Sequence, residues 1–181
     1  ELLIENNGIG PQGGIYLAQA LSQITTLRSI DVAYNNLNNE GVKHLSQALT
    51  LHSKLRNLRI ESNDIGLEGA QHLGEALKSL QKLNSISLKN NPLTDAGVKH
   101  LADAFKVIGK SLVQVFLQNV GVTDDAAAYL AEICKLQDCN ITTLTLDKNE
   151  ISEAAVNLFN FMIPAQVQQC IKIGFCTYCE T

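Results

Sequence analysis

The chain has 181 residues and a formal net charge of −4, a size typical of one domain with a continuous core. Its three arginines, Arg28, Arg56 and Arg59, form no basic stripe that could neutralise phosphates, so the composition argues against nucleic-acid binding. The sequence also lacks an apolar run of about 18 residues, and it therefore predicts no insertion into a membrane.

One pattern of residues recurs along the whole chain. Each copy contains a turn position, usually asparagine, which we call the asparagine slot. The slots are Asn7, Asn35, Asn63, Asn91, Val120, Asn149 and Cys176. They are almost evenly spaced, and a fixed period of about 28 residues predicts a solenoid of stacked units.

Each repeat begins with alternating apolar residues, such as Ile30 and Val32, which predict a short strand. After the slot come apolar residues four apart, such as Leu45 and Leu49, which predict an amphipathic helix. Repeated strand–helix units stack right-handed, with a parallel sheet on one side and helices on the other. Because strands pack about 4.8 Å apart and helices about 8–10 Å apart, we expect an α/β horseshoe segment with a concave sheet and convex helices.

The residues around each slot fit this geometry. An asparagine amide can satisfy buried backbone groups in neighbouring turns, so Val120, which has no amide, predicts a locally different loop. Residues favoured at helix starts lie three positions after five of the slots: Asn38, Gly66, Thr94, Thr123 and Ser152. Small residues follow each slot by six positions, where we expect the helix to approach the strand layer: Gly13, Gly41, Gly69, Gly97, Ala126 and Ala155.

These features predict a single domain over residues 1–181, with about six to seven repeats. The first strand begins at Leu2 and Ile4 without a polar cap, so we expect the N-terminal cap to be missing and the chain to belong to a larger assembly. No signal peptide is visible and the cysteine count is odd, which favours a reducing, cytoplasmic compartment.

Metal and catalytic sites are weakly indicated. His44, His72 and His100 recur with the period of the slots, but neighbouring helices lie too far apart for these side chains to share a zinc ion. Zinc, a disulfide or free thiols are all open for the cysteines, and free thiols are favoured because Cys134 falls on an inner helix position. The cysteines are Cys134, Cys139, Cys170, Cys176 and Cys179. We expect no metal, cofactor or self-contained catalytic site, since no Walker-type lysine follows the glycines of residues 8–14.

The side chains on the inner face of the sheet carry mixed charges and scattered aromatic rings, a composition typical of protein interfaces. An ordinary solvated sheet face is the alternative interpretation. The candidate partner-binding residues are Glu5, Asn6, Asp31, Tyr34, Arg59, Glu61, Lys89 and Phe116.

The 28/29-residue pattern resembles the ribonuclease-inhibitor type of leucine-rich repeat. Within it, residues 6–14, NNGIGPQGG, resemble a segment of Ran GTPase-activating proteins. That resemblance implies a small GTPase as partner and Asn6 as a residue that contributes to activation. The chain departs from the family, because it lacks the family's acidic tail and begins after the repeat that carries an important arginine. Two hypotheses follow: a protein–protein interaction scaffold, or a Ran-type GTPase activator or truncated form of one.

Overall fold

A computed structural model describes residues 1–162 and a further strand at residues 171–172. Cys170, Cys176 and Cys179 lie outside the described residues, and so does the C-terminal zinc site that they suggested. The confirmed architecture is an α/β solenoid of strand–turn–helix repeats.

Strands and helices alternate strictly along the described chain. The strands are β1 (Leu2–Leu3), β2 (Ser29–Asp31), β3 (Asn57–Arg59), β4 (Ser85–Ser87), β5 (Gln114–Phe116), β6 (Thr143–Thr145) and β7 (Ile171–Lys172). The helices are α1 (Gly10–Leu21), α2 (Asn38–Leu49), α3 (Leu67–Leu77), α4 (Thr94–Ile108), α5 (Asp124–Cys134) and α6 (Glu153–Met162). The described strands form one parallel sheet in chain order, and each helix packs against the next.

The register of the sheet places equivalent residues of successive repeats side by side. Ile30 pairs with Leu58, and Leu58 pairs with Ile86, all fully buried between the sheet and the helices. The hydrophobic core therefore runs continuously through the stack, as the apolar periodicity predicts.

The slot asparagines form a ladder of hydrogen bonds, as predicted. Asn63 Oδ1 accepts from the backbone N–H groups of Asn35 and Leu37, at 3.2 Å each. Its Nδ2 donates to the carbonyls of Val32 and Glu61, at 2.9 and 3.0 Å. The Asn63 amide thus forms hydrogen bonds with backbone groups of its own turn and of the turn in the preceding repeat.

Because a slot amide accepts hydrogen bonds from the turn of the preceding repeat, the prediction of an irregular loop at Val120 is wrong by one repeat. The turn that lacks an amide acceptor is the preceding one, at Asn91, where Leu93 N–H instead donates to the Asn91 carbonyl at 2.7 Å. Pro92 in the same turn has no N–H to satisfy. The Val120 turn is itself supplied by Asn149, whose Oδ1 accepts from Val120 N–H at 2.9 Å. The irregular loop therefore lies one repeat before the substituted slot.

A second ladder joins the helix starts. Asn39 Oδ1 accepts from Gly66 N–H at 2.8 Å, and Asp95 Oδ1 accepts from Thr123 N–H at 2.8 Å. Asp124 repeats the arrangement with Ser152, and these hydrogen bonds from Ser152 hold the pKa of Asp124 below its usual range. A side chain from one repeat therefore caps the helix of the next.

The glycines six residues after each slot do not face the strand layer, so that prediction is wrong. A Cβ on Gly41 would lie 3.3 Å from the Pro11 carbonyl oxygen, and one on Gly97 would lie 3.1 Å from Ala70 Cβ. Both neighbours belong to the preceding helix. Gly41 and Gly97 are therefore small because successive helices approach one another closely there.

One buried histidine offers a stability test. His52 is fully buried, its Nδ1 bonds the Ala48 carbonyl at 3.0 Å, and its Nε2 has no partner. Equivalent positions hold Leu80 and Ile108, both buried. We expect His52→Leu to stabilise the fold by about 1 kcal/mol, because it removes an unpaired buried nitrogen. The Ala48 carbonyl stays paired, since it also accepts from Leu51 N–H.

Urea unfolding measures this difference. His44→Leu is the matched control: His44 is half-exposed and bonds Glu40, so its replacement should give no gain. Equal stabilisation by both changes would contradict the argument from the unpaired nitrogen.

A charged network on the convex side links α4 to α5. Asp103 Oδ1 accepts from Lys106 Nζ at 2.8 Å and from the Tyr129 hydroxyl at 2.6 Å. These two hydrogen bonds hold the pKa of Asp103 below its usual range. A depressed carboxyl pKa stabilises the fold above the unfolded-state value, and the stabilisation is lost as pH falls through the folded-state value.

We therefore expect Asp103→Asn to destabilise the chain by about 0.5 kcal/mol at neutral pH, the usual size for an exposed ion pair. The difference between wild type and variant should shrink as pH falls below the ordinary carboxyl pKa of about 4 and vanish once pH is below the depressed folded-state pKa. Urea titrations at a series of pH values measure it. A difference that stays constant into acid would show that the carboxylate charge is not its source.

Candidate protein-interaction face

The face of the sheet opposite the helices, which we call the concave face, carries three rows of side chains across the strands. The first row contains Leu3, Asp31, Arg59, Ser87, Phe116 and Thr145. The second row, two residues further along, contains Glu5, Ala33, Glu61, Lys89, Gln118 and Asp147. The strand-end row contains Asn6, Tyr34, Ser62, Asn90, Asn119 and Lys148.

An ion cluster centred on Arg59 occupies the N-terminal half of this face. Arg59 Nη1 lies 2.8 Å from Asp31 Oδ2 and 3.8 Å from Glu5 Oε2. Its Nη2 and Nε each lie 3.0 Å from Glu61 Oε1. The register explains the cluster, because Asp31 pairs with Arg59 across β2 and β3.

Asp31 and Glu61 are buried, at 4% and 6% exposure, so the expectation that these two strand side chains are exposed is wrong, whereas their part in partner binding stays a prediction. Strands lie about 4.8 Å apart, and the long Arg59 side chain therefore covers its shorter neighbours. Only Arg59 and Glu5 present substantial surface here, with side-chain exposures of 50% and 55%.

The electrostatics of the cluster are uneven. Burial by itself would lower the pKa of Arg59, but its hydrogen bond to Glu61 and the charges of Asp31, Glu61 and Glu5 outweigh that effect and raise it. Arg59 is thus a permanent cation facing three carboxylates. The N-terminal half of the concave face is accordingly negative.

The C-terminal half is built around Phe116, which is half-buried. Lys89 Nζ lies 4.9 Å from the centre of the Phe116 ring, a cation–π contact. Beside the ring, three buried polar atoms have no hydrogen-bond partner: Ser87 Oγ, Gln118 Oε1 and Thr145 Oγ1. These three residues were not among the candidates selected from the sequence, although their positions beside Phe116 follow from the repeat pattern.

Every residue of the strand-end row has a left-handed backbone, with φ between 53° and 62°. Asparagine tolerates this conformation, and it occupies the row at Asn6, Asn90 and Asn119. Tyr34 is the bulky member: its φ is 56° and it is 48% exposed. Asn6 is also exposed.

The candidate residues therefore fall into three groups: Glu5, Asp31, Arg59 and Glu61 in the ion cluster, Lys89 with Phe116, and Asn6 with Tyr34 on the strand-end row. Elsewhere, His44 bonds Glu40 and His100 Nε2 lies 3.2 Å from Gln71 Nε2. Over residues 1–162, no cluster of three metal-binding side chains occurs. Within the same part of the chain, no helix combines the length and hydrophobicity needed to cross a membrane.

A family model described as a leucine-rich repeat matches residues 23–46, 52–74 and 79–102. Each matched segment contains a strand, a slot asparagine and the start of a helix. No curated protein matches the chain.

Among solved structures, the chain is similar to the tropomodulin C-terminal domain of Caenorhabditis elegans, with a TM-score of 0.62 and 14% sequence identity. The alignment covers 86% of this chain and 94% of that domain. At such low identity the likeness concerns the fold alone. The matched repeats and the strand–turn–helix stack agree: residues 23–102 carry leucine-rich repeats and the chain has the fold of a leucine-rich-repeat solenoid, a class whose repeats form scaffolds for protein–protein interaction.

Proposed function

We propose that the chain binds another protein through its concave face and strand-end row, with Tyr34 and Phe116 as aromatic anchors. Tyr34 carries the proposal. A bulky side chain in the left-handed region costs about 1 kcal/mol that asparagine largely avoids, and the ring is 48% exposed. The fold gains nothing visible from this combination, so a contact with a partner would explain it.

The surroundings of Phe116 support the same proposal. Tyrosine, phenylalanine and other aromatic residues commonly anchor protein interfaces. Lys89 contacts the Phe116 ring and has no carboxylate partner among residues 1–162. The unpaired oxygens of Ser87, Gln118 and Thr145 would gain hydrogen bonds if a partner displaced the Lys89 side chain.

Charge defines the kind of partner. The ion cluster leaves the N-terminal half of the face negative, whereas the unpaired Lys89 makes the centre positive. The proposed partner therefore has a basic patch beside an acidic one, matched to this order.

Tyr34→Asn separates fold from binding. We expect it to stabilise the isolated chain by about 0.5 kcal/mol, since asparagine suits the left-handed backbone. We expect the same change to weaken partner binding at least tenfold, as loss of an interface anchor does. Urea unfolding and titration calorimetry measure the two effects, and a variant that is less stable and still binds would contradict both expectations.

The partner can be sought with three baits: wild type, Tyr34→Asn combined with Phe116→Ala, and Tyr16→Ser. Tyr16 lies on α1, away from the sheet, and is 63% exposed, so it is the matched control. The proposal expects a protein retained by wild type and Tyr16→Ser but lost by the concave-face variant, with a measured Kd that follows the same order. A specific partner lost only by Tyr16→Ser would place the interface on the helices instead.

A second candidate function, activation of a Ran-type GTPase, is favoured by the geometry of Asn6. Its side chain is exposed and makes no hydrogen bond within the described chain, whereas Asn7 Nδ2 bonds the Glu5 carbonyl at 3.0 Å. Asn6 is thus free to contact a GTPase, as the resemblance of residues 6–14 implies.

Single-turnover GTP hydrolysis by Ran, with excess wild type or Asn6→Gly, tests this second candidate. Glycine is chosen because Asn6 has φ of 55°, where alanine would be strained. Acceleration that Asn6→Gly abolishes would establish the activator. If wild type neither binds Ran nor accelerates GTP hydrolysis, the interaction scaffold stays as the proposed function.

A further inference from the structure

Unpaired polar atoms gather around Phe116 on the concave face. Of the five buried side-chain atoms that lack a hydrogen-bond partner in the described part of the chain, three belong to Ser87, Gln118 and Thr145. Ser87 pairs with Phe116 across β4 and β5, and Thr145 pairs with it across β5 and β6. Ser87 and Thr145 are each 5% exposed, so their hydroxyls are shielded from water. A half-buried aromatic ring is thus bordered by oxygens that a bound group could satisfy.

The chemistry of these oxygens indicates that the bound group is a hydrogen-bond donor. A hydroxyl can donate or accept, but Gln118 Oε1 can only accept. A carboxylate has only acceptors, so it would leave Gln118 Oε1 unpaired. It would also face the negative side of the aromatic ring, where the π electrons repel an anion. An anionic group therefore does not suit the surroundings of Phe116.

The charge of the face favours a cation. Over residues 1–162, its first two rows contain four carboxylates and two cations: Glu5, Asp31, Glu61 and Asp147 against Arg59 and Lys89. Lys89 Nζ lies 4.9 Å from the centre of the Phe116 ring, so the ring already accepts a cation in the free protein. The lysine nonetheless leaves all three oxygens unpaired. A cation with more donors and a flatter shape than an ammonium group would serve them better.

We propose that the Phe116 site, which consists of Phe116, Lys89, Ser87, Gln118 and Thr145, binds an arginine side chain of the partner protein, an inference that rests on the proposed function and specifies the group recognised. A guanidinium is planar, stacks on aromatic rings and carries five N–H donors in a fixed fork. Stacked on Phe116, it donates to Gln118 Oε1 and to the hydroxyls on the flanking strands, which lie about 4.8 Å to either side. The displaced Lys89 ammonium then pairs with the acidic patch of the partner.

The test needs no identified partner. N-acetyl-arginine amide is titrated into the full chain while the NMR signals of the Phe116 ring, assigned with Phe116→Leu, are followed. The lysine and glutamate analogues of this compound are the matched probes. We expect a saturable shift with a Kd for arginine at least about threefold lower than for lysine, and no saturable shift with glutamate. A ring that responds to none of the probes, or to arginine no more tightly than to the others, would overturn the proposal.

Lys89→Met distinguishes a site for a cation from a site for an anion. Methionine preserves much of the side-chain length but removes the competing ammonium, so the Kd of the arginine probe should fall at least about threefold. Lys82→Met is the matched control, because it removes the same charge from an exposed position in the loop between α3 and β4 and should leave the Kd unchanged. Weaker arginine binding by Lys89→Met would contradict a guanidinium site.

Thr145→Val separates the hydroxyl from the shape of its side chain. The Kd of the arginine probe should rise, because one acceptor is lost. The Tm of the free chain should rise by about 2–4 °C, because a buried unpaired hydroxyl is removed. A variant with a lower Tm and unchanged arginine binding would show that the Thr145 hydroxyl stabilises the fold and takes no part in the site.

Failure of the arginine site and failure of the proposed function give different results. If the baits capture a partner that is lost with the concave-face variant while the arginine probe does not bind, the arginine inference is wrong and the proposed function stands. If the probe binds as expected but no captured partner depends on Tyr34 and Phe116, the proposed function is wrong and the guanidinium site stands by itself.

Discussion

Replacing Asn63 by alanine is expected to destabilise the chain by about 3 kcal/mol, because two buried N–H groups lose their acceptor at roughly 1–3 kcal/mol each. These groups belong to Asn35 and Leu37. The two carbonyls that Asn63 serves keep other partners: Val32 O accepts from Asn35 Nδ2, and Glu61 O accepts from Tyr34 N–H. The expected loss of stability therefore comes from the two N–H groups and not from the two carbonyls.

For a chain of this size, about 3 kcal/mol corresponds to a fall in Tm of roughly 6–12 °C, which calorimetry measures. Asn7→Ala is the matched control. Asn7 is exposed, and its side chain bonds only the Glu5 carbonyl, at 3.0 Å. We expect the control to change stability by less than about 0.5 kcal/mol, as exposed substitutions usually do. Equal losses for the two variants would contradict the ladder as the source of stability.

Gly14→Ala is expected to destabilise the chain by about 1–2 kcal/mol, although alanine is the better helix former by about 1 kcal/mol. A Cβ on Gly14 would lie 2.9 Å from Gly41 Cα, closer than packed atoms approach. The obstacle is the backbone of α2, which no side-chain rotation can remove. Relief requires α1 to move away from α2, and that movement opens the core beneath them.

Gly97→Ala is the control for Gly14→Ala. The nearest atom to a Cβ there is Ala70 Cβ at 3.1 Å, and the equivalent position already holds Ala126 in the repeat of α5. We expect this change to be neutral within about 0.5 kcal/mol, because a slight shift and better helix propensity offset each other. Urea unfolding of both variants measures the contrast, and an equal loss at Gly97 would show that the Gly14–Gly41 contact is not special.

The fold was predictable because its signals repeat. Leu45 and Leu49 alone would indicate a helix, but the same spacing recurring with the period of the slots excludes other arrangements. The role of Asn63 was predictable for a related reason: a buried amide with donors and acceptors has few uses after a parallel strand. Both inferences rest on residues close together in sequence.

The candidate site was less predictable, because contacts across strands decide it. Asp31 and Arg59 belong to successive repeats, and only their register makes one cover the other. Likewise, Lys89 contacts the Phe116 ring on the next strand. The alternation of residues along a strand predicts on which face of the sheet a side chain lies. How exposed that side chain is depends on the lengths of the side chains beside it on the adjacent strands.

By itself, the sequence determined the repeat, the order of strand, turn and helix, the buried positions and the slot asparagines, since each is specified by local periodicity and backbone hydrogen bonding. Only the tertiary structure decided that Asp31 and Glu61 are covered, that Val120 alters the turn before its own and that Gly41 faces a helix. The physical reason is common to all three. Each property belongs to a pair of groups brought into contact by stacking, and its outcome depends on side-chain lengths and hydrogen-bond directions that no single repeat contains.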